Sequence, residues 1–149
     1  RRGTEPMPGA DRTVTTDALP SLLPSTDVLI LAAASTRETR HLIGADELAL
    51  LPATAALVNI ARGALVDQLA LAAALRNERL LGAGLDVTTP EPLEPDHPLW
   101  GEARCLITSH SADTPEMTAP LLAGRITENV RGFLAGGPLV GIVDPALGY

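Results

Sequence analysis

Four short apolar runs, each separated from the next by a stretch of helical character, limit what this chain can fold into more than any other feature. "DVLILAA" at 27–33 is continuous, partly β-branched and preceded by a Pro-Ser-Thr-Asp turn, so it reads as a buried strand. "AALVNI" (55–60), "GAGLD" (82–86) and "CLIT" (105–108) read the same way. Between them, "GADELALLP" (44–52) has helical spacing, and "DQLALAAALRNERL" (67–80) is rich in Ala and Leu with an acidic start. Strands alternating with helices of this length predict an α/β fold, a parallel sheet covered on both faces.

The flanks carry less. "TTDALPSLLPST" predicts one short amphipathic helix upstream of the first strand. "TPEMTAPLLAGRITENVRGFLAG" (114–136) begins with a Thr cap, Pro and Glu and closes on glycines, which predicts a long helix that Pro120 kinks or splits after its first turn. The final "VGIVDPALGY" reads as an irregular tail.

In an open parallel sheet, ligands sit outside the carboxyl ends of the strands. The residues at those ends are Ala33 to Ser35, then Ala61, Arg62 and Gly63, then Asp86, then Ser109 and His110. Three of the four ends carry a charged or titratable side chain. Gly63 lets the chain turn sharply after the second strand. A guanidinium at Arg62 can grip a carboxylate through two parallel hydrogen bonds, although a solvated loop arginine would look the same in sequence. An imidazole at His110 can give or take a proton near neutral pH, whereas most single histidines are structural. Glu91, between Pro90 and Pro92, would hold one tautomer of a nearby histidine and favour its charged form. Taken alone, "PEPLEP" is a stiff exposed turn. Asp86 closes its strand and could accept from an amide or cap the next turn.

Composition removes several function classes. A net charge of −7 over 149 residues argues against a nucleic-acid partner. No apolar run approaches the length of a bilayer span and no basic-then-apolar leader opens the chain, so a soluble cytoplasmic protein without a membrane partner is expected. All eleven basic residues are arginine, which excludes lysine Schiff-base chemistry and a P-loop lysine. Cys105, the single cysteine, sits in an apolar run and reads as a small core residue. His41, His97 and His110 lack the clustered spacing of a metal site, and no metal is expected. "GAG" at 82–84 leads into a strand instead of following one, so it is not a phosphate cradle; its glycines suggest close packing.

Three of these stretches, "LVNIARGALVD", "GAGLDVTTPEPLEPDHPLW" and "LITSHSADT", resemble in order and spacing the later part of the nucleotide-binding domain of D-isomer-specific 2-hydroxyacid dehydrogenases. That family includes glyoxylate/hydroxypyruvate reductases and phosphoglycerate dehydrogenases. The similarity runs from "DVLILAAASTRETRHLIG" to the long final helix. It implies an oxidoreductase that transfers a hydride between NAD(P)H and a small 2-oxo acid. Arg62 then matches the arginine that binds the substrate's carboxylate and carbonyl. His110 matches the acid/base, and Glu91 the carboxylate paired with it. Asp86 matches the residue holding the nicotinamide end of the cofactor. Ile60, Ala61 and Arg62 match the loop along the nicotinamide, Ala33 and Thr39 match contacts nearer the adenosine, and His110 and Ala112 complete the cofactor set.

The same resemblance makes the sheet Rossmann-like and doubly wound but incomplete, because its first strand and Gly-rich loop precede residue 1. Residues 1–149 would be the C-terminal portion of the NAD(P)-binding domain, with the substrate domain outside this chain. "RRGTEPMPGADR" opens without Met or strand, which fits a chain cut from something longer. Such a piece should expose an unpaired strand edge and an apolar face. Arg1 and Arg2 would lie just past the strand that ends in the ribose-binding acid, which favours NADP over NAD. Two positions depart from the family pattern, Ser109 and Ala34, where proline is usual. The resemblance also implies a homodimer when intact. Two other readings stay open in sequence: a non-catalytic dinucleotide-binding module and an inactive structural fragment.

Overall fold

The computed structural model describes residues 5–146. Its backbone divides into two compact units, one running through Ser109 and the other from His110 onward.

The first unit is built on four strands, β1 (Val28–Leu31), β2 (Ala56–Asn59), β3 (Gly82–Leu85) and β4 (Cys105–Ile107). All pair in parallel and lie in sequence order, β1-β2-β3-β4. The boundaries fall within three residues of the sequence expectation. Register sets the two faces: Leu29, Leu57, Ala83 and Cys105 form one row, and Leu31, Asn59, Leu85 and Ile107 the next row on the same face. These rows pack into the core with Leu48 of α2 (Ala45–Leu50) and Leu71 and Leu75 of α3 (Gln68–Arg76).

The opposite face presents Ile30, Val58, Gly84 and Leu106 in register, and Ile30 and Leu106 are 59% and 67% exposed. Within the first unit, the expectation of cover on both faces is therefore met on one face only. The cause is topological. Parallel crossovers are right-handed, so strands added in one direction put every connecting helix on the same side. Cover on the second face requires a reversal of strand order, and β1 to β4 contain none. This is the Rossmann-like parallel sheet that the sequence implies, with β1 at one edge.

Both connecting helices start on sequence-encoded caps. Asp67 accepts from the N–H groups of Leu69 (3.1 Å) and Ala70 (3.0 Å), which fixes the first turn of α3. Glu47 reaches back to the N–H of Gly44 at 3.0 Å and does the same for α2. The predicted upstream helix is instead three contiguous pieces: a 3-10 turn at Thr16–Ala18, α1 (Leu19–Leu22) and a second 3-10 turn at Leu23–Ser25. Pro20 sits in the first turn of α1, and Pro24 cannot supply the N–H that would continue it. Leu23 nevertheless anchors the segment, being fully buried.

In the second unit α4 spans Pro115–Leu134 as one helix with Pro120 inside it. The first turn does not split off, because Pro120 removes a single N–H near the start of a 20-residue helix. Gly136, at φ 65°, ends it, and the Gly137 N–H closes on the Gly132 carbonyl at 2.8 Å. No residue of α4 is buried within the structure, and Leu121 and Phe133 are among its exposed apolar side chains. The described part of the tail, through Ala146, has no regular structure, as expected, but Asn129 clasps it by bonding both the N–H (2.8 Å) and the carbonyl (3.0 Å) of Val140. Among the described residues no helix is long and apolar enough to cross a membrane.

Candidate active site

Because all four strands run the same way, their carboxyl ends share one edge of the sheet. The first unit brings three of the sequence-predicted elements there: the Ile60–Gly63 turn after β2, Asp86 after β3, and the loop that carries Glu91.

The turn after β2 is shaped by a residue inside the strand and not by one beyond its end. Asn59, the last residue of β2, is fully buried. Its Oδ1 accepts from the Ala61 N–H at 3.0 Å and its Nδ2 donates to the Arg62 carbonyl at 2.9 Å. One carboxamide thus folds the turn back on itself and presents the Arg62 side chain at the edge. The polar Asn inside "LVNIA" was the available signal, since an amide placed among core residues needs internal partners. Arg62 is exposed, and its described hydrogen bond is from Nη1 to the Ala61 carbonyl at 2.6 Å. Most of its N–H donors are left to face an incoming anion. Ile60, beside it, is an exposed apolar side chain.

Asp86 is buried, and its Oδ1 accepts from the hydroxyl of Thr108, just past β4. The bond ties the third strand end to the fourth. Glu91 is exposed, but its carboxylate is aimed: Oε1 accepts from the Thr88 N–H at 3.0 Å. The Thr88 hydroxyl donates to the Pro90 carbonyl at 2.8 Å, so the segment closes on itself. The Thr89–Pro90 and Glu91–Pro92 peptides are both cis.

These two loops touch. A Cβ on Gly63 would lie 2.6 Å from the Thr89 nitrogen and closer still to the Thr88 carbonyl carbon. The glycine is required by that approach and not by the turn, because its φ lies outside the left-handed region. "GAG" is indeed strand β3, and a Cβ on Gly82 would come within 3.0 Å of the Arg104 carbonyl oxygen, which is tight. Gly84 differs: nothing would meet a Cβ there within 4 Å, so the close-packing expectation fails for it.

The remaining predicted residues are placed as follows. Ala33 is exposed just beyond β1. The hydroxyl of Thr39 donates to the Ala34 carbonyl at 2.7 Å and accepts from the Thr36 N–H at 2.7 Å, so it shapes the loop after β1. His110 is the first residue of the second unit and takes a left-handed backbone at φ 56°. Ala112 lies two residues further on, exposed. Arg1 and Arg2 fall outside the described residues. Cys105 is half-buried against the core, and burial, reinforced by the nearby Glu102 carboxylate, pushes its thiol up to about 11. Among the described residues no cluster of three or more His, Cys, Asp and Glu could hold a metal.

The carboxyl edge of the sheet thus presents an exposed aliphatic side chain at Ile60, an arginine at Arg62 and a buried carboxylate at Asp86. A phosphate cradle is not among the described residues.

Fold and site thus define a nucleotide-binding α/β unit. Residues 2–112 match the family described as D-isomer specific 2-hydroxyacid dehydrogenase, NAD binding domain. The chain belongs to that family. It is 36% identical over 149 residues to glyoxylate/hydroxypyruvate reductase A of Salmonella newport, covering 99% of this chain and 47% of that protein. A crystal structure of a D-isomer specific 2-hydroxyacid dehydrogenase from Xanthobacter autotrophicus Py2, in complex with NADPH and MES, superposes with a TM-score of 0.87 at 38% identity. It covers 100% of this chain and 61% of that one. An NADPH-dependent glyoxylate/hydroxypyruvate reductase from Sinorhizobium meliloti, in complex with NADP and sulfate, gives a TM-score of 0.88 at 27% identity, covering 100% of this chain and 48% of that one. The chain spans about half the length of the curated relatives it matches.

Proposed function

We propose that residues 1–149 are the C-terminal portion of the NAD(P)-binding domain of a reductase that converts a small 2-oxo acid, of the glyoxylate or hydroxypyruvate type, to the D-2-hydroxy acid. The observation that carries this reading is the joining of the Arg62 turn and the Glu91 loop at one strand edge through Gly63. A sheet that merely scaffolds has no need to hold an exposed arginine and an aimed carboxylate together.

The bound dinucleotide supplies the hydride. Every other role falls to the chain's own residues. Arg62 binds the carboxylate of the oxo acid and orients its carbonyl. His110 holds the proton that an imidazole N–H delivers to the carbonyl oxygen as the alcohol forms. Glu91 keeps that imidazole in one tautomer and favours its charged form. Asp86, Ile60 and Ala61 hold the nicotinamide end, while Ala33, Thr39 and Ala112 serve as lesser cofactor contacts. Arg1 and Arg2 favour NADP, in line with the NADP(H) complexes of the two solved relatives. The substrate domain lies outside this chain, and a cytoplasmic homodimer completes the proposal.

The test is oxidation of NADPH and of NADH by the full-length polypeptide that carries this chain, with glyoxylate and hydroxypyruvate as substrates. Turnover with NADPH preferred is expected. Cofactor binding without turnover on any of several 2-oxo acids would overturn the enzyme reading.

A further inference from the structure

We propose that Gln68 is the positioning residue of the Glu91 loop, holding the Glu91 carboxylate in place through the backbone of Thr89. The inference rests on the reading of Glu91 as a working carboxylate of the site.

Gln68 opens α3 and is only 9% exposed. Its Nε2 donates to the Thr89 carbonyl at 2.7 Å, and its Oε1 accepts from the Thr89 N–H at 2.8 Å. The partner lies 21 residues along the chain, so the pair is a tertiary clasp in which one carboxamide satisfies both polar groups of one peptide residue. Buried Thr88 and Leu93 bracket the segment, and between them the Gln68 clasp grips its backbone directly. Thr89 to Pro92 are exposed, and Pro90 and Pro92 have no N–H to give. The hydrogen bonds of Thr88, to Glu91 and Pro90, lie inside the loop itself. They fix its shape, while Leu93 in the core and the Gln68 clasp fix its place on the domain.

The clasp starts from a rigid base. Asp67, the preceding residue, caps α3 with two hydrogen bonds, and α3 packs into the core through Leu71 and Leu75. On the other side Gly63 presses against Thr88 and Thr89. Glu91 therefore hangs from a loop fixed by hydrogen bonds on one flank and by close approach on the other. The chemistry of the clasp specifies the side chain. A primary carboxamide offers a donor and an acceptor side by side; a carboxylate offers acceptors alone, one of them facing the Thr89 carbonyl; Met fills the space with neither. A functional carboxylate displaced by even one ångström loses much of its effect, so the holder matters as much as the group held.

The experiment is a double-mutant cycle in the full-length polypeptide. Gln68→Met keeps the volume and removes both hydrogen bonds. Glu91→Gln removes the charge and keeps an oxygen for the Thr88 N–H. Gln68→Met is expected to lower kcat about ten- to a hundredfold while the KM for the cofactor stays put. Combined with Glu91→Gln, it should cost no more than Glu91→Gln alone, because the two act through one carboxylate. Gln68→Glu, which keeps the bond from the Thr89 N–H, should recover part of the loss. Additive losses, a cofactor KM rising in step with the fall in kcat, or an unchanged kcat would each overturn the proposal. If Gln68→Met fails to fold, Gln68→Glu takes its place in the cycle with a smaller loss expected, and additivity there overturns the proposal equally. Wild-type kcat in Glu91→Gln would overturn the reading of Glu91 and this proposal with it. A low kcat in Glu91→Gln beside a normal one in Gln68→Met would overturn this proposal alone.

Discussion

Gly63 and Thr89 approach so closely that a methyl group on the glycine would lie 2.6 Å from the Thr89 nitrogen. Backbone cannot swing aside as a flexible side chain can, so Gly63→Ala must push apart the two loops carrying Arg62 and Glu91. The expected cost is about 2–3 kcal/mol of stability, as for other overpacked sites. Gly84→Ala is the control, since a Cβ there meets nothing within 4 Å. It should be neutral or stabilise slightly by restricting the unfolded chain. Urea denaturation of the two variants of this chain checks the contrast; equal midpoints would contradict it.

Asn59 carries the second prediction. Its buried carboxamide satisfies the Ala61 N–H and the Arg62 carbonyl. Asn59→Ala leaves both groups without it, which should cost about 2–4 kcal/mol. The turn would also lose the brace that presents Arg62. Thermal melting reads the first effect. In the full-length polypeptide, a KM for the oxo acid that rises more than the KM for the cofactor reads the second.

The strands were legible because buried parallel strands are written as apolar runs, and β1 to β4 follow those runs closely. Asp86 and Arg62 were legible as charges at run ends, where a parallel sheet exposes its carboxyl edge. Gln68 was not, because its partner Thr89 is 21 residues away and no local pattern marks that pairing. Asn59 was half-legible: its polarity shows in the sequence, its two bonds do not. Pro24 announced the break in the upstream helix, and the amphipathic pattern around it masked that signal. That α2 and α3 cover the same face of the sheet follows from strand order, which apolar periodicity does not encode.

Cys105 gives a pH-dependent prediction. Burial first, then the Glu102 carboxylate, disfavour its thiolate and push the thiol from 9.0 up to about 11. At pH 8 only about a thousandth of the folded protein would carry the thiolate. A disulfide reagent such as DTNB should therefore react at least about tenfold more slowly with the folded chain than with the urea-unfolded chain. The sign for stability follows from the same shift. The folded group binds its proton more tightly than the unfolded one, so its stabilising contribution is complete below pH 9 and is lost as pH rises towards 11. Equal rates of modification in the folded and unfolded states would contradict the burial.

The roles proposed for His110 and Arg62 separate kinetically. Removing a proton donor lowers the chemical step by about 10²–10⁴-fold, so His110→Ala should depress kcat in the full-length polypeptide while the KM for NADPH changes little. Arg62 binds substrate by a planar fork, and its loss should appear mainly as a higher KM for the oxo acid. Arg62→Lys is the sharper probe, because an ammonium keeps the charge but cannot make two parallel bonds to one carboxylate. It should retain weak substrate binding and lose orientation, so that kcat falls as well. Steady-state kinetics with glyoxylate and NADPH distinguishes the three variants. Full activity in both alanine variants would remove these residues from the reaction, whatever their position at the strand ends. A loss of cofactor binding in His110→Ala, with kcat spared, would make the histidine a cofactor contact and leave the proton donor to be found elsewhere.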